Sequence, residues 1–211
     1  MSFGNVYMAR VGKVNMGQQV GGWEKMASCG RILLLVKKVM GGMQHMKDDE
    51  VKRLYATIKL LQSEDGCPWD KVQTHESVKA GCIEEACEVL AGINILSETG
   101  KADNLKEELG DLLLQVIFHA CLAEKEGLFD LKDVAKAAYE KMIRRHPHVF
   151  HEPMLGKDGN PVTDWEEIKK LEKAGREWEG DYLPDALKEG VSLIEQAARR
   201  KGLDMSSSGE F

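Results

Sequence analysis

The chain has 211 residues and a formal net charge of −6 at pH 7, and 43% of its residues are hydrophobic. A chain of this length can bury the core of one domain. The negative charge argues against binding to DNA, RNA or anionic membranes, and no apolar run approaches the roughly 18 residues that span a bilayer. Five cysteines without a Cys-x-x-Cys pair, together with the lack of a secretory signal, predict a reduced protein in the cytoplasm.

Residues 1–47 differ in composition from the rest of the chain. They hold eight of the 21 glycines and seven of the ten methionines, and they carry a charge of +6 against −12 for residues 48–211. Glycine at this density disfavours regular helix, so we expect an extension that is disordered or loosely packed. A regular pattern begins directly after Met46, and we hypothesise that the natural protein starts there. The intact mass of protein purified from its source would test this.

From Asp48 the sequence becomes regular. Apolar residues recur at helical spacing over residues 51–61, which predicts a first helix ending near Ser63. Gly66 and Pro68 follow, and these residue types are the strongest helix breakers. The loop after them carries several polar and aromatic side chains, namely Trp69, Asp70, Gln73 and His75. We find no strand alternation, so the predicted fold class is all-α, a helical bundle.

A first acidic cluster lies on the next predicted helix and consists of Glu84, Glu85 and Glu88. Successive residues are about 100° apart around a helix. Glu85 therefore borders the apolar face of this helix and Glu88 lies further round, so both are predicted to lean inward. Glu84 lies nearly opposite that face and is predicted to be solvated.

A second acidic cluster, Glu108 and Asp111, lies on a predicted helix from Leu105 to about Glu126. This helix is apolar on almost every side, except for a stripe that consists of Glu108, Asp111, Gln115 and His119. A helix that is apolar all round is buried, so this stripe must be satisfied inside the protein. We expect His119 to be a hydrogen-bonded core histidine. The polar residues 97–104 predict a connection that returns the chain antiparallel and brings the two acidic clusters together.

Four inward-leaning carboxylates would repel one another and take up protons unless a cation neutralised them. The predicted ligands are Glu85, Glu88, Glu108 and Asp111. Oxygen ligands without thiolates favour Mg²⁺, with Mn²⁺ as an alternative, over zinc. The competing interpretation is a set of surface acids paired with Lys101 or Lys106. The apolar surroundings of the second cluster favour the metal site.

The next predicted helix runs from Leu131 to about His146, with Asp130 as its N-cap. Lys141 and Arg145 lie four residues apart near its end and share a face. A loop rich in glycine and proline separates this helix from the segment that follows.

A capping-box pattern from Thr163 to Glu166 predicts a short helix, on which Trp165 and Lys169 lie four residues apart. Pro184 introduces a last helix that reaches about Lys201. Residues 206–211 are predicted to be a frayed tail.

These elements together have the chemistry needed to bind a nucleoside triphosphate. An oxygen-ligated cation would bind phosphate oxygens, Lys141 and Arg145 would neutralise further charge, and Trp165 or Trp69 would offer a ring face to the base. Trp69 has an equally good alternative role, which is packing beneath its loop. The residues alone therefore indicate metal-dependent phosphate chemistry and go no further.

Several motifs resemble the MazG family of nucleoside triphosphate pyrophosphohydrolases. They are the stretch from Gly66 to His75, the Glu-Glu-x-x-Glu motif at 84–88, the run from Glu107 to His119, the run from Arg144 to Phe150, and Trp165 to Lys169. The resemblance covers residues 48–205 and implies one compact all-α module of that family that forms obligate dimers. The residues themselves predict self-association and leave a homodimer and a higher homo-oligomer both open. It also implies Mg²⁺-dependent cleavage of a nucleoside triphosphate between its α and β phosphates, which yields a nucleoside monophosphate and pyrophosphate.

The resemblance also implies roles for individual residues. The ligands would be Glu85, Glu88, Glu108 and Asp111, the same four that the helical positions select. The nucleotide contacts would be Lys141, Arg145, Trp165 and Lys169, and roles for Gln73 and His75 rest on the resemblance alone. We expect water to attack phosphorus, with Glu84 as a candidate catalytic proton acceptor only if it turns inward. Removal of non-canonical nucleotides is one role that such an activity would serve.

A non-enzymatic alternative is a helical dimerisation or regulatory module that retains a metal site. A ferritin-like di-iron protein is also helical and rich in carboxylates, but it needs Glu-x-x-His motifs on paired helices. None of the six histidines has a glutamate three residues before it, so the sequence argues against this class.

Overall fold

The computed structural model describes residues 49–150, 155–156, 159–162 and 164–205, apart from the side chain of His148. In these residues the predicted all-α class is confirmed. The α-helices are α1 (Glu50–Leu61), α2 (His75–Thr99), α3 (Asp103–Lys125), α4 (Leu131–Arg145), α5 (Pro147–Phe150), α6 (Trp165–Glu172) and α7 (Leu183–Arg200), and 3₁₀ helices span Asp70–Val72 and Glu177–Tyr182. The predicted extension, the Met46 hypothesis and the predicted tail lie outside the described residues.

The ends of these helices follow from local capping. Thr74 caps α2 by accepting a hydrogen bond from the Ser77 backbone while the Ser77 hydroxyl accepts one from the Thr74 backbone. Asp130 caps α4 in the same way, as predicted. The N-cap of α6 is Asp164, one residue after the predicted Thr163, and its side chain accepts a hydrogen bond from the Glu167 backbone.

A tight connection joins α2 to α3. Gly100 ends α2 with φ of 72°, a left-handed conformation that glycine adopts without strain. The helices extend to Thr99 and from Asp103, so the connection is shorter than the predicted residues 97–104. This short turn makes α2 and α3 an antiparallel pair.

Two glycines on α2 set how closely the pair packs. A Cβ atom on Gly81 would lie 2.5 Å from the Gln115 side chain, and one on Gly92 would lie 2.8 Å from the Cα atom of Leu105. The two glycines are eleven residues apart, about three turns, so they lie on one face of α2. Residue numbers rise along α2 as they fall along α3, and Glu85 lies between the two close contacts.

The hydrophobic core lies between α1, α2 and α3. Its buried members are Ile58, Val78, Ile117, Phe118, Cys121 and Leu122. On its border, the Tyr55 hydroxyl donates a 2.5 Å hydrogen bond to Glu124, which also forms a 2.6 Å ion pair with Lys59. Helix α7 packs against the other side of α2. None of the described helices combines the length and the apolar character needed to cross a membrane.

Candidate functional site

An acidic cluster lies between α2 and α3. Glu85, Glu108 and Asp111 each place a carboxylate oxygen within 4.8 Å of the others. Glu85 is 7% exposed and Glu108 is 8% exposed, and Asp111 is half-buried. The structure therefore brings together three of the four carboxylates that the sequence predicts as ligands.

Burial and mutual repulsion make these carboxylates hard to ionise in the absence of a cation. Burial, followed by the charges of Glu88, Asp111 and Glu108, raises the pKa of Glu85 to about 7. Burial is also the main cause that raises the pKa of Glu108 and the pKa of Asp111. The Lys201 ammonium lowers the pKa of Glu85, but it ranks behind burial and the three acids. The cluster retains an excess of negative charge.

The chemistry of these donors fits a hard divalent cation. Three carboxylate oxygens converge from two rigid helices, without thiolate or imidazole donors among them, and Mg²⁺ and Mn²⁺ prefer such ligands. Asn104 donates a 2.8 Å hydrogen bond to one oxygen of Glu108, which orients that carboxylate from outside the cluster. A bound cation would relieve the repulsion that raises the three pKa values.

The other two acids of the first cluster pair with the end of α7. Arg200 binds the Glu84 carboxylate and Lys201 binds that of Glu88. Glu84 is 7% exposed, so its predicted solvation is wrong. The reason is tertiary, because α7 covers the side of α2 that a helical wheel shows as polar. Glu84 faces Arg200 instead of the cluster, which does not favour its candidate role as proton acceptor.

The remaining polar residues of the α3 stripe are satisfied inside the protein, as predicted. Gln115 is 2% exposed and lies against Gly81. His119 is half-buried, with its Nδ1 atom 2.7 Å from Nδ1 of His75 and its Nε2 atom 3.4 Å from the Cys82 sulfur. Burial, with the nearby His75, lowers the pKa of His119. His119 is therefore a hydrogen-bonded core histidine, and His75 is its partner.

Two loop residues predicted to contact nucleotide, Trp69 and Gln73, make contacts within the protein. The Trp69 ring lies 6.4 Å from that of Phe118 and packs against the core. The Gln73 amide donates to the Trp69 carbonyl at 2.8 Å and accepts from the Ser77 hydroxyl at 2.7 Å. These contacts hold the loop against the start of α2, and they favour the packing role for Trp69.

A second charged cluster joins the end of α4 to α6. Arg145 donates two hydrogen bonds to Oε2 of Glu172, from Nη2 at 2.6 Å and from Nε at 3.0 Å. Its Cζ atom lies 5.1 Å from the centre of the Trp165 ring. The structure thus brings together Arg145 and Trp165, two of the four predicted nucleotide contacts.

The other two predicted nucleotide contacts lie on the same helices. Lys141 is exposed one turn before Arg145. Lys169 lies one turn after Trp165 and forms a 2.8 Å ion pair with Glu166. The edge of the Trp165 ring also meets His146, with ring centres 5.7 Å apart.

Sequence reasoning missed three charged residues that the structure places at these clusters, namely Glu172, Arg200 and Lys201. Glu172 follows Trp165 by seven residues, a helical spacing that places both on one face. The basic end of the last helix is also visible in the sequence, but nothing in its local pattern identifies Glu84 and Glu88 as its partners.

Comparison with known proteins finds a family match for the part of the chain that contains α2 and α3. The family model described as the MazG nucleotide pyrophosphohydrolase domain matches residues 73–150. The nucleoside triphosphate pyrophosphohydrolase/pyrophosphatase MazG of Thermotoga maritima is 44% identical over 122 residues, which are 58% of this chain and 45% of that protein. The nucleoside triphosphate pyrophosphohydrolase of Escherichia coli K12 is 40% identical over 127 residues, which are 60% of this chain and 47% of that protein.

A longer match is with the uncharacterized protein YabN of Bacillus subtilis, which is 41% identical over 150 residues, 71% of this chain and 29% of that protein. The chain thus spans less than half the length of each of these three relatives. All three carboxylates of the acidic cluster, and Arg145, fall within the residues that the family model matches. Residues 73–150 thus match the MazG nucleotide pyrophosphohydrolase domain, and the chain is similar to proteins that bear that name.

Proposed function

We propose that this protein hydrolyses nucleoside triphosphates to nucleoside monophosphate and pyrophosphate in a reaction that depends on Mg²⁺. The observation that carries the proposal is the convergence of Glu85, Glu108 and Asp111 within 4.8 Å. Strongly shifted pKa values in partly enclosed acidic groups are a common feature of functional sites. The matched family and the names of two relatives supply the reaction.

The three carboxylates hold the cation, and Glu88 becomes a fourth ligand if its carboxylate leaves Lys201. The chemistry that bound Mg²⁺ or Mn²⁺ supplies is neutralisation of phosphate oxygens, orientation of water and stabilisation of the leaving pyrophosphate. The role of the chain is to hold its carboxylates in a rigid helical pair, so that little reorganisation accompanies the reaction.

The nucleotide contacts come from α4 and α6. Arg145 and Lys141 offer positive charge to the phosphates, and Lys169 adds a third cation. Trp165 is 41% exposed, so its ring is accessible to a base as well as to the Arg145 guanidinium. Removal of non-canonical nucleotides is the physiological role that we propose for this activity, in the cytoplasm.

A panel of nucleoside triphosphates with Mg²⁺ tests the activity. We expect nucleoside monophosphate and pyrophosphate as products, and no diphosphate with orthophosphate. Glu85→Gln should lower the rate by roughly a thousandfold, because a metal-ion contribution is worth several kcal/mol. Glu98→Gln is the matched control, since Glu98 lies exposed on the same helix, and it should retain full activity. Turnover by Glu85→Gln at the wild-type rate would contradict the proposed site.

We also propose that the protein is a homodimer. An apolar stripe on α3 is exposed, with Leu109 at 49%, Leu113 at 36% and Val116 at 41%. Their spacing of four and three residues places them on one face of the helix, a pattern typical of a buried surface. A second copy of the chain would cover it.

Light scattering after size-exclusion chromatography tests the dimer. The wild-type protein should have twice the chain mass of 23.6 kDa, and Leu109→Lys should shift it to the monomer. Val72→Lys is the matched control, because Val72 is 66% exposed and belongs to the 3₁₀ helix Asp70–Val72 instead of α3. A wild-type monomer would contradict the proposal.

A further inference from the structure

Glu172 is the third member of one face of α6. It follows Trp165 by seven residues and Lys169 by three, so all three side chains project from the same side of the helix. Its side chain is 8% exposed. A carboxylate this deeply buried needs charged partners, and Glu172 has two: Arg145, at 2.6 Å, and Arg144, whose Nε donates to Oε1 at 3.4 Å.

These contacts fix the Arg145 guanidinium from two directions. Glu172 accepts from its Nε and Nη2 atoms, and Trp165 lies against its face with Cζ 5.1 Å from the ring centre. A guanidinium has five N–H groups. Among the residues that the structure describes, Glu172 takes two of them, which leaves the Nη1 end and the second Nη2 hydrogen as donors for an anion.

The carboxylate of Glu172 stays ionised at this position. Burial by itself would raise its pKa, but the hydrogen bond from Arg145 and the charges of Arg145 and Arg144 hold the pKa below its ordinary value. Glu172 is therefore charged at neutral pH, and it pairs with Arg145 in the absence of nucleotide.

We propose that Glu172 is a positioning residue for nucleotide binding, which presents the unused N–H groups of Arg145 to the phosphates of a nucleoside triphosphate. The inference rests on the proposed function, because it takes Arg145 as a nucleotide contact. An arginine side chain has many rotamers, and ordering it in advance lowers the cost of binding. Glu172 thus acts on affinity through Arg145 and does not touch the reacting atoms.

The test measures binding and turnover of the full chain separately. The probe is the α,β-methylene analogue of the triphosphate that the panel hydrolyses fastest, titrated in Mg²⁺ by calorimetry. We expect Glu172→Gln to weaken binding about tenfold and to raise KM by a similar factor, because preorganisation is lost. Its kcat should stay within about twofold of wild type, since the acidic cluster is unchanged. A variant that fails to fold would lower the active fraction and kcat instead.

Glu167→Gln is the matched control. It removes the same charge from an exposed position on the same helix, and it should bind the probe as wild type does. If both variants bind more tightly, loss of negative charge alone governs affinity, and the positioning role is wrong.

A double-mutant cycle with Arg145→Ala separates this inference from the proposed function. We expect Glu172→Gln to have no further effect once Arg145 is removed, because it acts only through that side chain. Weaker binding in Arg145→Ala combined with wild-type binding in Glu172→Gln would overturn the positioning role alone. Wild-type binding in Arg145→Ala would overturn both that role and the nucleotide contact, while the activity panel tests the acidic cluster independently.

Discussion

Glu85 and Glu172 are two glutamates with covered side chains and opposite electrostatic surroundings. Glu85 is 7% exposed as a whole residue, whereas Glu172 is half-buried as a residue and its side chain is 8% exposed. Around Glu85 lie Glu88, Asp111 and Glu108, and its pKa is raised to about 7. Around Glu172 lie Arg145 and Arg144, and its pKa is lowered despite burial.

The two glutamates differ in whether the chain supplies a cationic partner, which it does for Glu172 and does not do sufficiently for Glu85. Burying a charge is costly unless a partner of opposite sign is present. At Glu172 the chain supplies that partner from α4. At Glu85 the main charges are of the same sign, so the carboxyl group either keeps a proton or is neutralised by a cation from solution. Burial of an acid therefore indicates a metal site only when its neighbours are also acids.

The largest expected effect on stability is at Glu85 in metal-free protein. Because its pKa is raised from 4.5 to about 7, the folded protein keeps a proton that the unfolded chain releases between these values, so stability falls as pH rises through this interval. Glu85→Gln removes the effect and should be more stable than wild type above pH 7, by up to about 3 kcal/mol, with no difference near pH 4. Urea denaturation with EDTA measures this, and a difference that is constant with pH would be evidence against the raised pKa.

At Glu172 we expect the pH dependence of stability to have the opposite sign. Its lowered pKa contributes stability above the ordinary pKa of a glutamate, and that stability is lost as pH falls through the folded-state value. Glu172→Gln should cost about 2 kcal/mol at pH 7, because it leaves two arginines without their buried partner, and the difference should shrink below pH 4. The same urea experiment applies. A variant as stable as wild type at pH 7 would mean that the ion pair contributes nothing to the fold.

The antiparallel pair of α2 and α3, which holds the acidic cluster, depends on close packing at Gly92. A Cβ atom there would meet the backbone of Leu105 at 2.8 Å, so Gly92→Ala should cost about 1–2 kcal/mol and should also weaken Mn²⁺ binding as α2 and α3 move apart. Gly110→Ala is the control on α3, where a Cβ atom meets nothing within 4 Å. It should gain up to about 1 kcal/mol from helix propensity. Equal effects of the two substitutions would contradict the packing role.

The smallest expected effect is on Mn²⁺ affinity and comes from Lys201. This residue pairs with Glu88, beside the acidic cluster. Lys201→Gln removes a competing cation, so Mn²⁺ should bind about threefold more tightly, within the range of a partly exposed ion pair. Lys188→Gln, at an exposed lysine on α7, the helix that Lys201 directly follows, should leave Mn²⁺ affinity unchanged. Weaker binding in Lys201→Gln would show that Lys201 supports the cation site instead of competing with it.

Local periodicity was enough to predict α1 to α4, α6, α7 and the convergence of Glu85, Glu108 and Asp111. It predicted neither the short helix α5 nor the two 3₁₀ helices. A 3.6-residue period fixes which side chains share a face, and the short connection at Gly100 fixes the antiparallel pairing. The eleven-residue spacing of Gly81 and Gly92 is a further signal of close helix packing in the sequence.

The pairing of Glu84 could not be predicted in this way. Its partner Arg200 is 116 residues away in sequence, and a helical wheel shows nothing of the helix that packs over its polar side. Glu172 presents the same difficulty, since Arg145 lies on another helix. The role of Trp69 was also open in the sequence. An aromatic side chain in a loop either packs into the core or contacts a ligand, and only its neighbours in the structure decide between the two.

The most direct test of the account is Mn²⁺ binding, measured by calorimetry, to wild type and to the variants Glu85→Gln and Glu172→Gln. We expect wild type to bind Mn²⁺, Glu85→Gln to bind at least tenfold more weakly because a charged ligand is lost, and Glu172→Gln to bind as wild type does. Equal affinities in wild type and Glu85→Gln would contradict the claim that the acids between α2 and α3 form the cation site.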